Sequence, residues 1–154
     1  MTTATALAAR IVLVPFLAER QSSGHHPRSL YVERFWLPVL GPSTTFLLRH
    51  LALVLEAGTR AVTLAEIAAA LGLAEGSRRE GAFFRCLERA AAFEMVRVET
   101  PDRLYVRALL PNVTPRQRQR LSVELRALES ELGARATRVS PDPFVPPRRP
   151  MRTS

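Results

Sequence analysis

The stretch Val62–Cys86, "VTLAEIAAALGLAEGSRREGAFFRC", decides how the rest of the chain is read. Thr63 followed three residues later by Glu66 is a capping box, in which each residue satisfies a backbone donor at a helix start. Gly72 then supplies the residue that most readily closes a helix, so the spacing predicts a short helix over 64–71. Ser77 and Glu80 repeat the box after the turn "LAEGS", predicting a second helix over 78–93 that opens on Arg78 and Arg79. Upstream, Phe46, Leu47, Leu51, Leu53, Val54 and Leu55 predict a well-buried helix from Ser43 to Glu56 that stops before Gly58. Downstream, "MVRVETPDRLYVRAL" alternates, with Val96 and Val98 on one strand and Leu104, Val106 and Ala108 on the other. Thr100-Pro101-Asp102 forms the turn of this predicted hairpin.

Helix, short helix, tight turn, helix and two-stranded hairpin is the order of a winged helix-turn-helix domain. From about residue 43 to 109 the chain resembles one of the bacterial transcriptional regulator type. "TLAEIAAALGL" is similar to the second helix of such domains, with the small residues Ala65, Ala68, Ala69 and Gly72 where the next helix crosses closely. The resemblance implies a mainly α fold with a small β-hairpin, flanked by N- and C-terminal helices. It also implies that helix 78–93 enters the major groove of duplex DNA while the hairpin touches the flanking backbone.

The side chains of that helix can be placed by direction. At roughly 100° per residue from Arg78, Arg85 falls near ~340° and Arg89 near ~20°, one stripe. Phe83, Phe84, Leu87, Ala90 and Ala91 take the opposite, core side. Guanidinium binds the guanine edge bidentately or clamps phosphate, so Ser77 as the cap, Arg78, Arg79, Arg85 and Arg89 form the expected DNA-binding set, with Arg103 on the wing. A solvated arginine face is the plain alternative, with Glu88 placed to neutralise Arg85 or Arg89. The acids Glu99 and Asp102 make the hairpin a poor phosphate ligand beyond Arg103.

The flanks read differently. Residues 1–42 hold an apolar run, "ALAARIVLVPFLA", expected to dock as an amphipathic segment. It is interrupted by Arg10 and Pro15 and is shorter than the roughly 20 apolar residues that span a bilayer. A Ser/Gly/Pro loop and a bracing turn stopped by Pro38 and Gly41-Pro42 follow. In 114–132, Thr114, Pro115 and Gln117 open an expected helix whose Leu121, Leu125, Leu128 and Leu132 form a seam. That seam either pairs with its twin in a homodimer or packs on its own domain. Residues 133–154 are Pro- and Arg-rich, too poor in apolar residues to order themselves.

Charge points to an anionic partner only in part. The formal net charge is +8, but all 22 basic residues are arginine, a bias that fits a GC-rich genome, and half the excess lies in the tail after 132. The single Cys86 fits a reducing cytoplasm. No catalytic, cofactor or metal site is expected: His25 and His26 are adjacent rather than spaced as helical ligands, and "GLAEG" lacks a phosphate-loop lysine. The expectation is therefore a cytoplasmic, nucleoid-associated regulator of duplex DNA that is not an enzyme. The competing one is a winged-helix adaptor that binds protein through its N-terminal apolar segment and leucine seam.

Overall fold

The N-terminal apolar run is a strand at the heart of a sheet. In the computed structural model, which describes residues 4–18, 23–73 and 81–136 with side chains as far as 132, Arg10–Phe16 is extended as β1. Ile11 and Leu13 are buried, while Arg10 and Val12 face out. The β-branched Ile11, Val12 and Val14 suit a pleated surface. Pro15 is tolerated because it lies past the end of the neighbouring strand, which reaches only Val12, so its missing N–H breaks no ladder on that side. The expectation of an amphipathic segment docked on the domain is thus corrected. Between two strands its alternating side chains find a buried and an open face, and its backbone finds partners on both edges.

The chain continues through a π-helical turn, Val32–Trp36, into α1 (Leu37–Leu40), α2 (Pro42–Glu56), β2 (Ala61–Thr63), α3 (Leu64–Ala70), α4 (Ala82–Ala92), β3 (Val96–Thr100), β4 (Arg103–Arg107), α5 (Pro115–Arg118) and α6 (Val123–Ala136). The strands lie in the order β2-β1-β4-β3, β1 being antiparallel to β2 and parallel to β4, and β3-β4 being a hairpin. The fold is therefore mixed α/β rather than mainly helical with a small hairpin. Ile11, Leu13, Val62, Val96, Leu104 and Val106 from the inner face of the sheet share one core with Leu47, Leu51, Phe83 and Leu87 of α2 and α4.

The bracing turn takes its shape from proline. Pro38 has no N–H to give and its ring crowds the preceding turn. The chain widens to a π turn just before it, Leu37 N–H reaching back to Val32 O, and Gly41 at φ 84° ends α1. Trp36 and Phe35 are buried there, and the Trp36 indole donates to Pro111 O at 2.8 Å.

Capping residues set most helix ends. Thr63 and Glu66 close the expected box at α3, and the Thr63 backbone N–H, followed by its hydroxyl, holds the Glu66 carboxyl below the ordinary range. α2, α3 and α4 all stop in a Schellman turn, with left-handed Gly58, Gly72 and Glu94 in the C′ place. Glu94, at φ 60°, is the one of these with a side chain to crowd. Glu94→Gly should therefore raise stability by about 0.5 to 1 kcal/mol, seen as a higher urea midpoint at unchanged slope.

Two expected helices differ from their reading. α4 begins at Ala82, with Gly81 extended at φ −77°, ψ 172° as its cap. The start expected from Ser77 is thus four residues too early, and Ser77, Arg78 and Arg79 lie outside the described residues. In the C-terminal region the Thr114–Gln117 box forms, but α5 stops at Arg118 and the chain restarts as α6 at Val123. Ser122 breaks the run by capping the new helix, its hydroxyl accepting from Leu125 N–H at 3.2 Å. Leu121 falls in the intervening turn and is buried, while Leu125, Leu128 and Leu132 are half-buried against the chain's own core.

What fastens α6 is a buried polar cluster. Glu129, 1% exposed, accepts from the Tyr31 hydroxyl at 3.0 Å, and that hydroxyl accepts in turn from Val113 N–H at 3.0 Å. Arg118 Nε lies 2.8 Å from the other Glu129 oxygen, an ion pair close in distance but misaligned as a hydrogen bond. The His25 ring stacks on Tyr31 with centroids 3.6 Å apart and pairs with Asn112, and His26 pairs with Glu56. The loop read as a plain polar connection is thus tied to the body.

Candidate nucleic-acid interface

α4 is amphipathic in the sense expected. Phe83, Phe84, Cys86, Leu87 and Ala90 are buried, and Ala82, Arg85, Glu88 and Arg89 face solvent. The two described arginines of the expected stripe have different duties. Arg89 donates from Nη2 to Val39 O at 2.8 Å and rests 5.7 Å from the Phe93 ring centre, so it tethers α4 to the end of α1. Arg85, one turn earlier, sits on the outward side with Glu88 between them.

Arg103 is exposed but does not extend that surface. It opens β4 beside buried Leu104, and so belongs to the sheet face turned away from the one on which α4 packs.

That outer face gathers the wing arginines Arg97, Arg103 and Arg107 with Tyr105 and with residues of β1. The register sets Val12 beside Arg103, Val14 beside Tyr105 beside Arg97, and Phe16 beside Arg107. Tyr105 is therefore flanked along its own strand by Arg103 and Arg107 and across the ladder by Arg97. The Arg97 guanidinium reaches over to lie 4.9 Å from the Phe16 ring centre, a separation at which ring and cation attract. Arg10 stands at the far end of β1, opposite Thr63. Burial, foremost, holds the Arg107 guanidinium below its ordinary range; Glu94 works against that and the like charge of Arg97 adds to it. The signal for this cluster was the period-two alternation of β3 and β4, but Arg10 and Phe16 join it only once 10–16 is known to be a strand.

Elsewhere, α2 exposes apolar side chains. Phe46 is 58% and Leu53 47% exposed, although both were counted with the buried side of α2. The residues facing the core are instead Thr44, Thr45, Leu47, Leu48, Leu51 and Ala52. Phe46 borders a shallow groove of about 220 Å³ lined also by Pro42, Ser43, Ala70, Leu71 and Leu73. Among the described residues no group of three or more His, Cys, Asp or Glu is placed to hold a metal, and no helix is long and apolar enough to cross a membrane.

Compared with protein families, curated proteins and solved structures, the chain matches none.

Proposed function

We propose that residues 43–109 work as a winged helix-turn-helix unit that binds duplex DNA, in a transcriptional regulator associated with the nucleoid. The observation that carries the reading is Arg85, exposed on the outer side of a capped helix that follows α2, β2 and α3 and precedes the hairpin β3-β4. The order of these elements resembles that of the winged family, with β2 between the first two helices and β1 between β2 and the hairpin in the sheet. Arg78 and Arg79, just before α4 in sequence, complete the proposed groove-facing set. Arg89 acts behind them by holding α4 to Val39, and a homodimer would form through whatever part of α6 its own core leaves uncovered.

Binding of the full chain to duplex DNA across a salt series, with Arg85→Ala beside it, tests this. A base contact predicts a loss of about 1 to 3 kcal/mol. A phosphate contact predicts instead a salt slope shallower by about 0.9. Unchanged binding by Arg85→Ala and by Arg79→Ala would remove α4 from the interface. The exposed Phe46, which lines the α2–α3 groove, and the exposed Leu53 farther along α2 favour a second reading, a winged-helix adaptor for a protein partner. Duplex binding that disappears when the chain is ended at Gly133 would favour that one.

A further inference from the structure

The outer face of the sheet is a second surface, separate from α4, and its chemistry is distinct. Its outward strand positions bear Arg10, Arg97, Arg103 and Arg107 against one acid, Glu99, which lies 3.8 Å from Arg97. Other acids border it without occupying it. Glu66 faces Arg10 from the start of α3, and Glu94 faces Arg107 from the α4–β3 turn. Asp102, in the hairpin turn, accepts from the Thr100 hydroxyl at 2.8 Å. Between the arginines lie Tyr105 and Phe16, half-buried, and Val12, 40% exposed. Rings and β-branched side chains suit a strand in any case; what sets this face apart is that Tyr105 is flanked by Arg103 and Arg107 along its strand and by Arg97 across the ladder.

We propose that this face binds single-stranded nucleic acid, with a base stacked on Tyr105 and the phosphates on either side held by Arg103 and Arg107. Alternate residues of a strand stand about 6.6 to 6.8 Å apart, so Arg103, Tyr105 and Arg107 offer a cation, a ring and a cation in sequence. Flat rings within a basic groove are the general means of holding single strands, since every base has a face to stack. Arg97 stiffens the platform by covering Phe16. The crowding of Arg97 and Arg107 is relieved by any anion that settles between them. A duplex has its bases stacked on each other and offers Tyr105 nothing, so this activity does not rest on the α4 reading.

The test is fluorescence anisotropy of a 15-nucleotide oligothymidine with the full chain. Tyr105→Leu should weaken binding about 5- to 150-fold and Tyr105→Phe should leave it nearly unchanged. Arg107→Gln should lower the salt slope by about 0.7, and Arg85→Ala should do nothing to either. Thermal unfolding of each variant separates lost binding from lost folding. A bromodeoxyuridine-bearing strand irradiated with the unaltered protein should cross-link to the peptide holding Tyr105 or Phe16, which needs no variant at all. The proposal is overturned if the oligothymidine fails to bind at 50 mM salt, if Tyr105→Leu binds as well as the parent, or if the cross-link maps to α4. It is equally overturned if polyglutamate displaces the strand at matched charge, since the face would then accept any acidic chain, protein included.

Discussion

Replacing Glu129 by alanine should destabilise the chain by about 3 kcal/mol. That is the lower end of the range for deleting one partner of a buried pair, because the Arg118 side chain is 38% exposed and regains some water. Two groups, the Tyr31 hydroxyl and the Arg118 guanidinium, lose their partner at once. The Tyr31 hydroxyl is left donating to nothing in a buried place, and α6 loses its polar fastening to the π-helical turn. Urea unfolding measures the loss, and the double change Glu129→Leu with Arg118→Leu should recover much of it, as paired apolar replacements often do. A single variant no less stable than the parent would mean that the cluster is already wet and α6 loosely held. Tyr31 adds an alkaline edge. Burial, foremost, holds its phenol well above the ordinary value near 10, the Glu129 carboxylate adding to this and the Val113 N–H opposing it. The unfolded chain therefore gives up that proton first, so the stability it contributes is complete below about pH 10 and fades as pH climbs toward the folded-state value. In Tyr31→Phe that alkaline edge should vanish.

Nothing in the sequence marks Glu129. It follows Leu128 in a helix whose other acids, Glu124 and Glu131, are exposed, and its partners Tyr31 and Arg118 are distant in the chain or in another helix. What was legible was local. The boxes at Thr63 and Thr114, the glycine stops at Gly58 and Gly72, and the hairpin all follow from neighbours within a few residues, and all are present. What was not legible depended on distant pairing. Ser77–Glu80 satisfies the same spacing rule as Thr63–Glu66 but lies outside the described residues, and α4 starts on the far side of Gly81. The outward direction of Arg89 was legible and its bond to Val39 O was not, since only the fold brings that carbonyl within reach. Phe46 and Leu53 were counted inward because an apolar residue on a helix is usually so, and the sheet meets the other side of α2.

Leu13→Ala, in turn, should cost about 3 to 5 kcal/mol, within the upper range for emptying a packed leucine site. Leu13 is fully buried at the middle of β1, opposite Leu104 on one side and bonded to Arg60 O through its N–H on the other. Collapse of the cavity is hindered because β2 and β4 fix the strand from both edges. The neighbouring Val12→Ala, on the open face, should cost under about 1 kcal/mol. The contrast between adjacent positions is the signature of a two-residue period, and a helix would not produce it. Guanidinium unfolding of the two variants supplies the comparison, and equal losses would contradict the strand. The consequence reaches function. Without β1, β2 and β4 would present bare edges prone to pair with other chains, and the outer face would lose Arg10 and Phe16, the ring under Arg97. β1 thus contributes outward residues to the single-strand face and none to Arg85's surface on α4, so the N-terminal run takes a direct part in one of the two proposed activities alone.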